Sequence, residues 1–172
     1  MACHSFAPVL PKPGAMRVFI LGSMPGVASL EAQAYYAHPR NQFWPIMAGC
    51  LGFESWPDDF RVRYQYLAEL GIGLWDVIAT CQRQGSLDSA IQSQNLSINP
   101  ILSVLEQQPN CRQILCNGQK SGQLFKRHLA AKLIKYHPGV AWHVLPSTSP
   151  AYAALSFSDK YQAWQDKLQH FR

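Results

Sequence analysis

A chain of 172 residues with 48% hydrophobic and 15% charged residues, including five Trp, seven Tyr and eight Phe, carries enough apolar material for one packed domain. That balance excludes a disordered, collagen-like or coiled-coil chain. Lys and Arg number 15 against 10 Asp and Glu, a net charge of +5 that names no partner by itself.

Taken in chain order, the segment before Arg17 opens without the charged-then-apolar pattern of a secretory leader and holds three prolines. It is expected to be an irregular arm, residues 1–16, ahead of a single domain over residues 17–172. The apolar run 18–21 is read as a buried strand stopped by Gly22-Ser23. Residues 41–51 pattern as a helix, and Pro57-Asp58-Asp59 supply the acidic first turn of a second, which reaches Leu70 and stops at Gly71. A second strand is read at 73–78, a helix at 100–107, and a third strand at 114–116 before Asn117-Gly118. Residues 119–133 form the next helix. A fourth strand, 142–145, runs into Pro146-Ser147, and residues 159–170 close the chain as a helix with Ser158 as N-cap. Strands that alternate with helices predict the α/β class, with a parallel sheet covered on both faces. No run approaches the ~18 apolar residues of a membrane span, so a cytoplasmic protein with no membrane partner is expected.

Between Glu106 and Asp159 no acidic residue occurs, while Arg112, Lys120, Lys126, Arg127, Lys132 and Lys135 fall there. Such a stretch gives one face a positive potential suited to a polyanion such as nucleic acid; the alternative is an ordinary solvated helix face. The five Cys, at 3, 50, 81, 111 and 116, form no CxxC and no Cys/His cluster. Reduced thiols are expected, with no metal and no cofactor.

In a parallel α/β sheet the ligand crevice lies at the carboxyl ends of the strands. Gly22-Ser23-Met24-Pro25-Gly26 is one such end. Its glycines allow close backbone approach and its amides can hold an anion or an extruded base, although a plain turn would read the same. It lacks both the Lys of a Walker loop and the GxGxxG fingerprint. Residues 35–44 crowd Tyr35, Tyr36, His38, Arg40, Asn41, Phe43 and Trp44 around Pro39. Phe43 and Trp44 read as core anchors; Tyr36, His38 and Asn41 offer a stacking face and hydrogen-bond groups, and Arg40 a phosphate partner. For Asn41 the alternative is a helix N-cap. Ser147, Thr148 and Ser149 stand between two prolines, where hydroxyls and amides suit phosphate contacts, and Tyr152 could probe a duplex; a surface loop is the alternative. Asp76 and Asp88 could act as acid or base, but neither has a second carboxylate nearby in sequence. His128, His137 and His143 lack metal spacing, and there is no GxSxG elbow.

In order and spacing, Leu21–Gly26, Ser29-Leu30 leading into residues 35–44, Gly73-Leu74-Trp75-Asp76-Val77 and residues 145–151 resemble the uracil-DNA glycosylase superfamily, and within it the hypoxanthine-DNA (deoxyinosine) glycosylase branch. The resemblance implies a three-layer α/β/α fold around a mostly parallel four-stranded sheet. It implies hydrolysis of the N-glycosidic bond of a deaminated base, most readily hypoxanthine, to leave an abasic site. Mismatch-specific uracil glycosylases carry Asn where Met24 stands, and a thioether cannot orient water; the essential amide of the hypoxanthine branch maps onto Asn41. By the same resemblance Asn41 is catalytic and Tyr36 stacks on the base; from their own chemistry and place, His38 is read as a second catalytic group, and Gly22, Ser23, Met24, Pro25, Gly26 and Asn117, with Tyr36, as binding the base. Arg40, Lys120, Ser147, Thr148, Ser149 and Tyr152 contact DNA. No Lys lies in these motifs, so a monofunctional enzyme is expected, acting as a monomer on double-stranded or single-stranded DNA. The rival readings are a uracil or mismatch glycosylase, a lesion-binding protein without catalysis on the same fold, and a flavodoxin-like nucleotide module.

Overall fold

The structure, a computed structural model, describes residues 2–83 and 85–171, apart from the side chains of residues 92–95 and 171. Its centre is β2 (Val18–Gly22), all five residues of which are buried. Alternation sends Phe19 and Leu21 to one face and Val18 and Ile20 to the other, so the run is continuously apolar because both faces are covered. β3 (Ile72–Asp76) and β6 (Gln113–Asn117) pair with it in parallel, and β7 (Ala141–Leu145) adds to β6, giving the order β3-β2-β6-β7. Register places Gly22 opposite Asp76, Leu21 opposite Cys116 and Asn117 opposite Leu145. All four carboxyl ends therefore meet at one edge.

Each face is closed by helices. On one side lie α4 (Ile101–Glu106), α5 (Gln119–Phe125) and α6 (Ala131–Tyr136), contributing Ile101, Leu105, Phe125 and Leu133 to the core. A π-turn, Lys126–Ala130, joins α5 to α6, so the helix expected at 119–133 runs to Tyr136 with a bulge inside it. On the other side α2 (Phe43–Leu51), α3 (Phe60–Glu69) and α7 (Phe157–Leu168) contribute Phe43, Met47, Leu67 and Trp164. This is the expected three-layer α/β/α arrangement. Pro57-Asp58-Asp59 are not the first turn of α3, as expected, but precede it: Asp59 is its N-cap, accepting the Arg61 N–H at 2.9 Å, and Gly71, at φ +83°, provides its exit.

Several local expectations change. The arm is irregular only in part: β1 (Ala2–His4) pairs antiparallel with β4 (Ile78–Gln82), which pairs with β5 (Gln92–Ile98) in a second, three-stranded sheet. Val9 exchanges backbone hydrogen bonds with Leu74, and Met16 is fully buried. The strand read at 73–78 is the end of β3 and the start of β4, broken at Val77. The apolar run has no punctuation there; the break is made by Val77 N–H and Ile78 N–H donating to Gly22 O and Ser23 O. A short α1 (Val27–Ala32) had no expectation attached to it. The N-cap of α7 is Ser156, not Ser158, because Asp159 is the third residue beyond Ser156. Its N–H donates to Ser156 Oγ at 3.1 Å, and that hydroxyl in turn donates to the Asp159 carboxylate at 2.9 Å. Among the described residues no helix is long and apolar enough to cross a membrane.

Candidate active site

The sheet edge where Gly22, Asp76, Asn117 and Leu145 end opens into a cavity of about 710 Å³, within the range of small-ligand sites. Gly22, Ser23, Met24, Pro25, Gly26, Tyr36, His38, Asn41, Asn117, Lys120, Ser147, Thr148, Ser149 and Tyr152 all line it. Arg40 does not; it is exposed outside the wall. Of the six cations in the acid-free stretch, Lys120 alone reaches the cavity.

Gly22 is required by space. A Cβ there would fall 2.5 Å from Asp76 Oδ1 and 3.3 Å from Tyr36 Oη. Beyond it the loop is clamped by a turn from the other sheet. Ser23 Oγ donates to Asp88 Oδ1 at 2.6 Å, and Val27 N–H donates to Ser86 Oγ at 2.7 Å. Pro25 O accepts from the buried guanidinium of Arg83. Met24 is 7% exposed and belongs to the core beside Trp75 and Val77, so its thioether is mainly a packing group.

Tyr36 adopts φ +54°, a conformation that strains a bulky residue. Its ring stacks on Phe43 at 4.1 Å and 24°, and the adjoining Ala37 N–H donates to the buried Ser29 hydroxyl. Phe43 and Trp44 are core anchors, as their sequence suggested. His38 Nδ1 accepts the Arg40 N–H at 3.1 Å, so the neutral imidazole carries its proton on Nε2. Asn41 Oδ1 accepts the Phe43 N–H at 2.9 Å, which leaves the amide NH₂ as a donor at the cavity wall. The cap of α2 is Gln42; Asn41 supports the first turn from one residue earlier.

Asn117 and Thr148 hold each other twice: Asn117 Nδ2 donates to Thr148 Oγ1 and Thr148 N–H donates to Asn117 Oδ1, both at 3.0 Å. Gln42 N–H donates to Thr148 O, tying the 146–152 loop to α2. Thr148 is 1% exposed, so a hydroxyl presented to phosphate, as expected for it, is not what this residue offers. Ser147 and Ser149 are half-buried on the wall. Lys160 of α7 is buried; its ammonium donates to Tyr152 O at 2.6 Å and to Ser149 O at 3.4 Å and lies over the Tyr152 ring. No local signal distinguishes this lysine from others on a solvated helix.

Sequence spacing also missed a pair of carboxyls. Asp76 and Asp88, separated by β4 and the turn after it, line the same cavity. Burial, then the charge of Asp88, pushes Asp76 up to about 7 against the opposing pull of Arg83. Asp88 is raised by burial and lowered by the Ser23 hydroxyl, Arg83 and Lys120. Burial also raises the Tyr36 phenol, well above its ordinary value.

Residues 10–170 match the sequence model of the Uracil DNA glycosylase superfamily. Two relatives are named hypoxanthine DNA glycosylase. One, from Methanosarcina barkeri, is 33% identical over 123 residues, covering 72% of this chain and 75% of that protein. The other, from Methanosarcina acetivorans, is 31% identical over 158 residues, covering 89% and 90%. The solution structure of a candidate uracil DNA glycosylase from Methanosarcina acetivorans is similar at a TM-score of 0.81 and 30% identity over 99% of both chains. A family match spanning nearly the whole chain, on a fold shared from end to end, makes this protein a member of the uracil DNA glycosylase superfamily.

Proposed function

We propose that the protein is a monofunctional DNA glycosylase that hydrolyses the N-glycosidic bond of hypoxanthine in DNA and leaves an abasic site. The observation that carries this reading is a single cavity joining the Asn41 amide, the His38 imidazole and the Tyr36 ring to the glycine-flanked 22–26 loop. The names of its two relatives support hypoxanthine as the base.

A stacked base is out of reach, so the enzyme extrudes it at a cost of a few kcal/mol, less where pairing is already weak. Tyr36, braced by Phe43, is the flat partner for the extruded base, and the 22–26 backbone reads its edge. As the bond breaks, the sugar gains oxocarbenium character and the base gains negative charge. The Asn41 amide orients the attacking water and donates to the developing charge. It cannot serve as a base, because an amide does not titrate near neutrality. Met24 is packed in the core and the Ser23 hydroxyl is engaged with Asp88, so the water is assigned to Asn41. His38 Nε2–H donates to the base or a neighbouring phosphate. Asn117, through Thr148, positions the 146–152 loop, which together with Lys120 and Arg40 grips DNA beside the lesion.

The test is single-turnover release from duplexes carrying one hypoxanthine or one uracil, by a monomeric enzyme, with Asn41→Ala alongside. Hypoxanthine release that drops by about 100- to 1,000-fold in the variant is the expected result. A monofunctional enzyme should form no covalent adduct under borohydride, and a trapped adduct on Lys120, the lysine of the cavity wall, overturns that part of the proposal. Faster release of uracil than of hypoxanthine overturns the substrate assignment. Tight binding with no abasic product overturns the enzyme.

A further inference from the structure

We propose that Asp76 is the general acid of base release, its carboxyl donating a proton to N7 or N3 of the departing purine. This rests on the hypoxanthine reading above. Asp76 ends β3 at the cavity wall and is 3% exposed. One oxygen is packed beneath Gly22 so closely that a single methyl group there would collide with it. The other, Oδ2, is buried without a hydrogen-bond partner. An ionised carboxylate left unpartnered in such a place costs several kcal/mol; the neutral acid costs far less and has a proton to give.

The groups acting on it come from two segments. Arg83 and Asp88 follow β4, and Tyr35 and Tyr36 precede α2. Asp88 is raised by burial as well, but the Ser23 hydroxyl it accepts, Arg83 and Lys120 all pull it back toward its charged form. Two carboxyls whose surroundings push them apart in this way divide into an ionised group and a proton donor. The raised pKa of about 7 agrees, since Asp76 then keeps its proton through the acidic range and up to about neutral pH.

The step balances. In the nucleotide, hypoxanthine carries hydrogen on N1 and the sugar on N9, which leaves N3 and N7 as basic ring nitrogens. As C1′–N9 breaks, its electron pair goes to the base, and the Asp76 proton moves to N7 or N3, so the base departs neutral. Water held by Asn41 delivers its oxygen to C1′ and releases one proton to solvent, from which the Asp76 carboxylate is reprotonated. Uracil offers no basic ring nitrogen, so the same acid favours purine release over pyrimidine release.

The experiment measures single-turnover release from a duplex with one deoxyinosine, at saturating enzyme, from about pH 5.5 to 8.5. The wild-type rate should be level at low pH and fall about tenfold per pH unit above a midpoint near 7. Asp76→Asn should be at least about 100-fold slower at the low end and lose that limb, with far smaller change in affinity for the duplex by fluorescence anisotropy. Asp88→Asn, which removes a repelling charge, should move the limb to lower pH. A flat or rising profile in an active wild-type enzyme overturns the proposal whatever the variants do. So does an Asp76→Asn enzyme that keeps the limb, or whose rate falls only in step with its affinity. Absence of hypoxanthine release by the wild type at every pH sinks the functional reading and this proposal together.

Discussion

A carboxyl at the end of a buried strand has little water to solvate its charge, and Asp76 shows the consequence for stability. Its pKa rises from 3.8 to about 7 on folding. Between these values the folded chain holds a proton that the unfolded chain has lost. Stability is therefore fullest below the lower value and declines as pH rises, the loss being complete above about 7. The change is on the order of 4 kcal/mol and is shared with Asp88 through their coupling. Urea unfolding at about pH 5 and pH 8 should find the wild type weaker at the higher pH, and Asp76→Asn should remove most of that difference. An equal difference in the variant would place the titration elsewhere. The same desolvation separates Asp76 from Asp59, an exposed carboxylate held below its ordinary value by the Arg61 side chain and backbone.

At the scale of elements, the site is held by clamps between segments that are distant in sequence. The turn after β4 grips the 22–27 segment at Ser23 and Val27, and Asn117 at the end of β6 grips Thr148 in the loop after β7. Lys160, from α7, secures the far side of that loop. Helix ends are more local, and one distinguishes two serines that look alike in sequence. Ser156→Ala removes the side-chain acceptor of the Asp159 N–H and should cost about 1 kcal/mol in urea unfolding, whereas Ser158→Ala should be close to neutral. Equal losses would mean that the helix begins later than Phe157.

Across the whole molecule, charge is spread less evenly than the net value of +5 suggests. Lys126, Arg127, Lys132 and Lys135 are exposed on the π-turn and α6, while Lys120 stands at the cavity wall. If DNA enters the cavity as proposed, affinity should fall with salt, and Lys120→Ala should reduce the slope of log K against log salt by about 1. A slope unchanged by that variant, but lowered by Lys132→Ala, would move the phosphate track away from the cavity and onto α6.

What could be read along the chain was what neighbours decide. The β2 run stands out because a strand covered on both faces must be apolar throughout. The α3 start and stop are visible in Asp59 and Gly71, and the order of motifs carried the family resemblance. Four features were not legible for a common reason. The break at Val77 comes from hydrogen bonds to β2, and β1-β4-β5 is assembled from a three-residue strand and a largely polar β5 whose pairing is not local. Thr148 turns inward because Asn117, 31 residues away, binds it twice. Asp76 and Asp88, set aside because no carboxylate lay near either in sequence, share one cavity wall. Local sequence sets periodicity and caps. Strand partners, desolvation and charge coupling depend on which distant groups the packed fold brings within a few ångströms, and only the tertiary structure decides that.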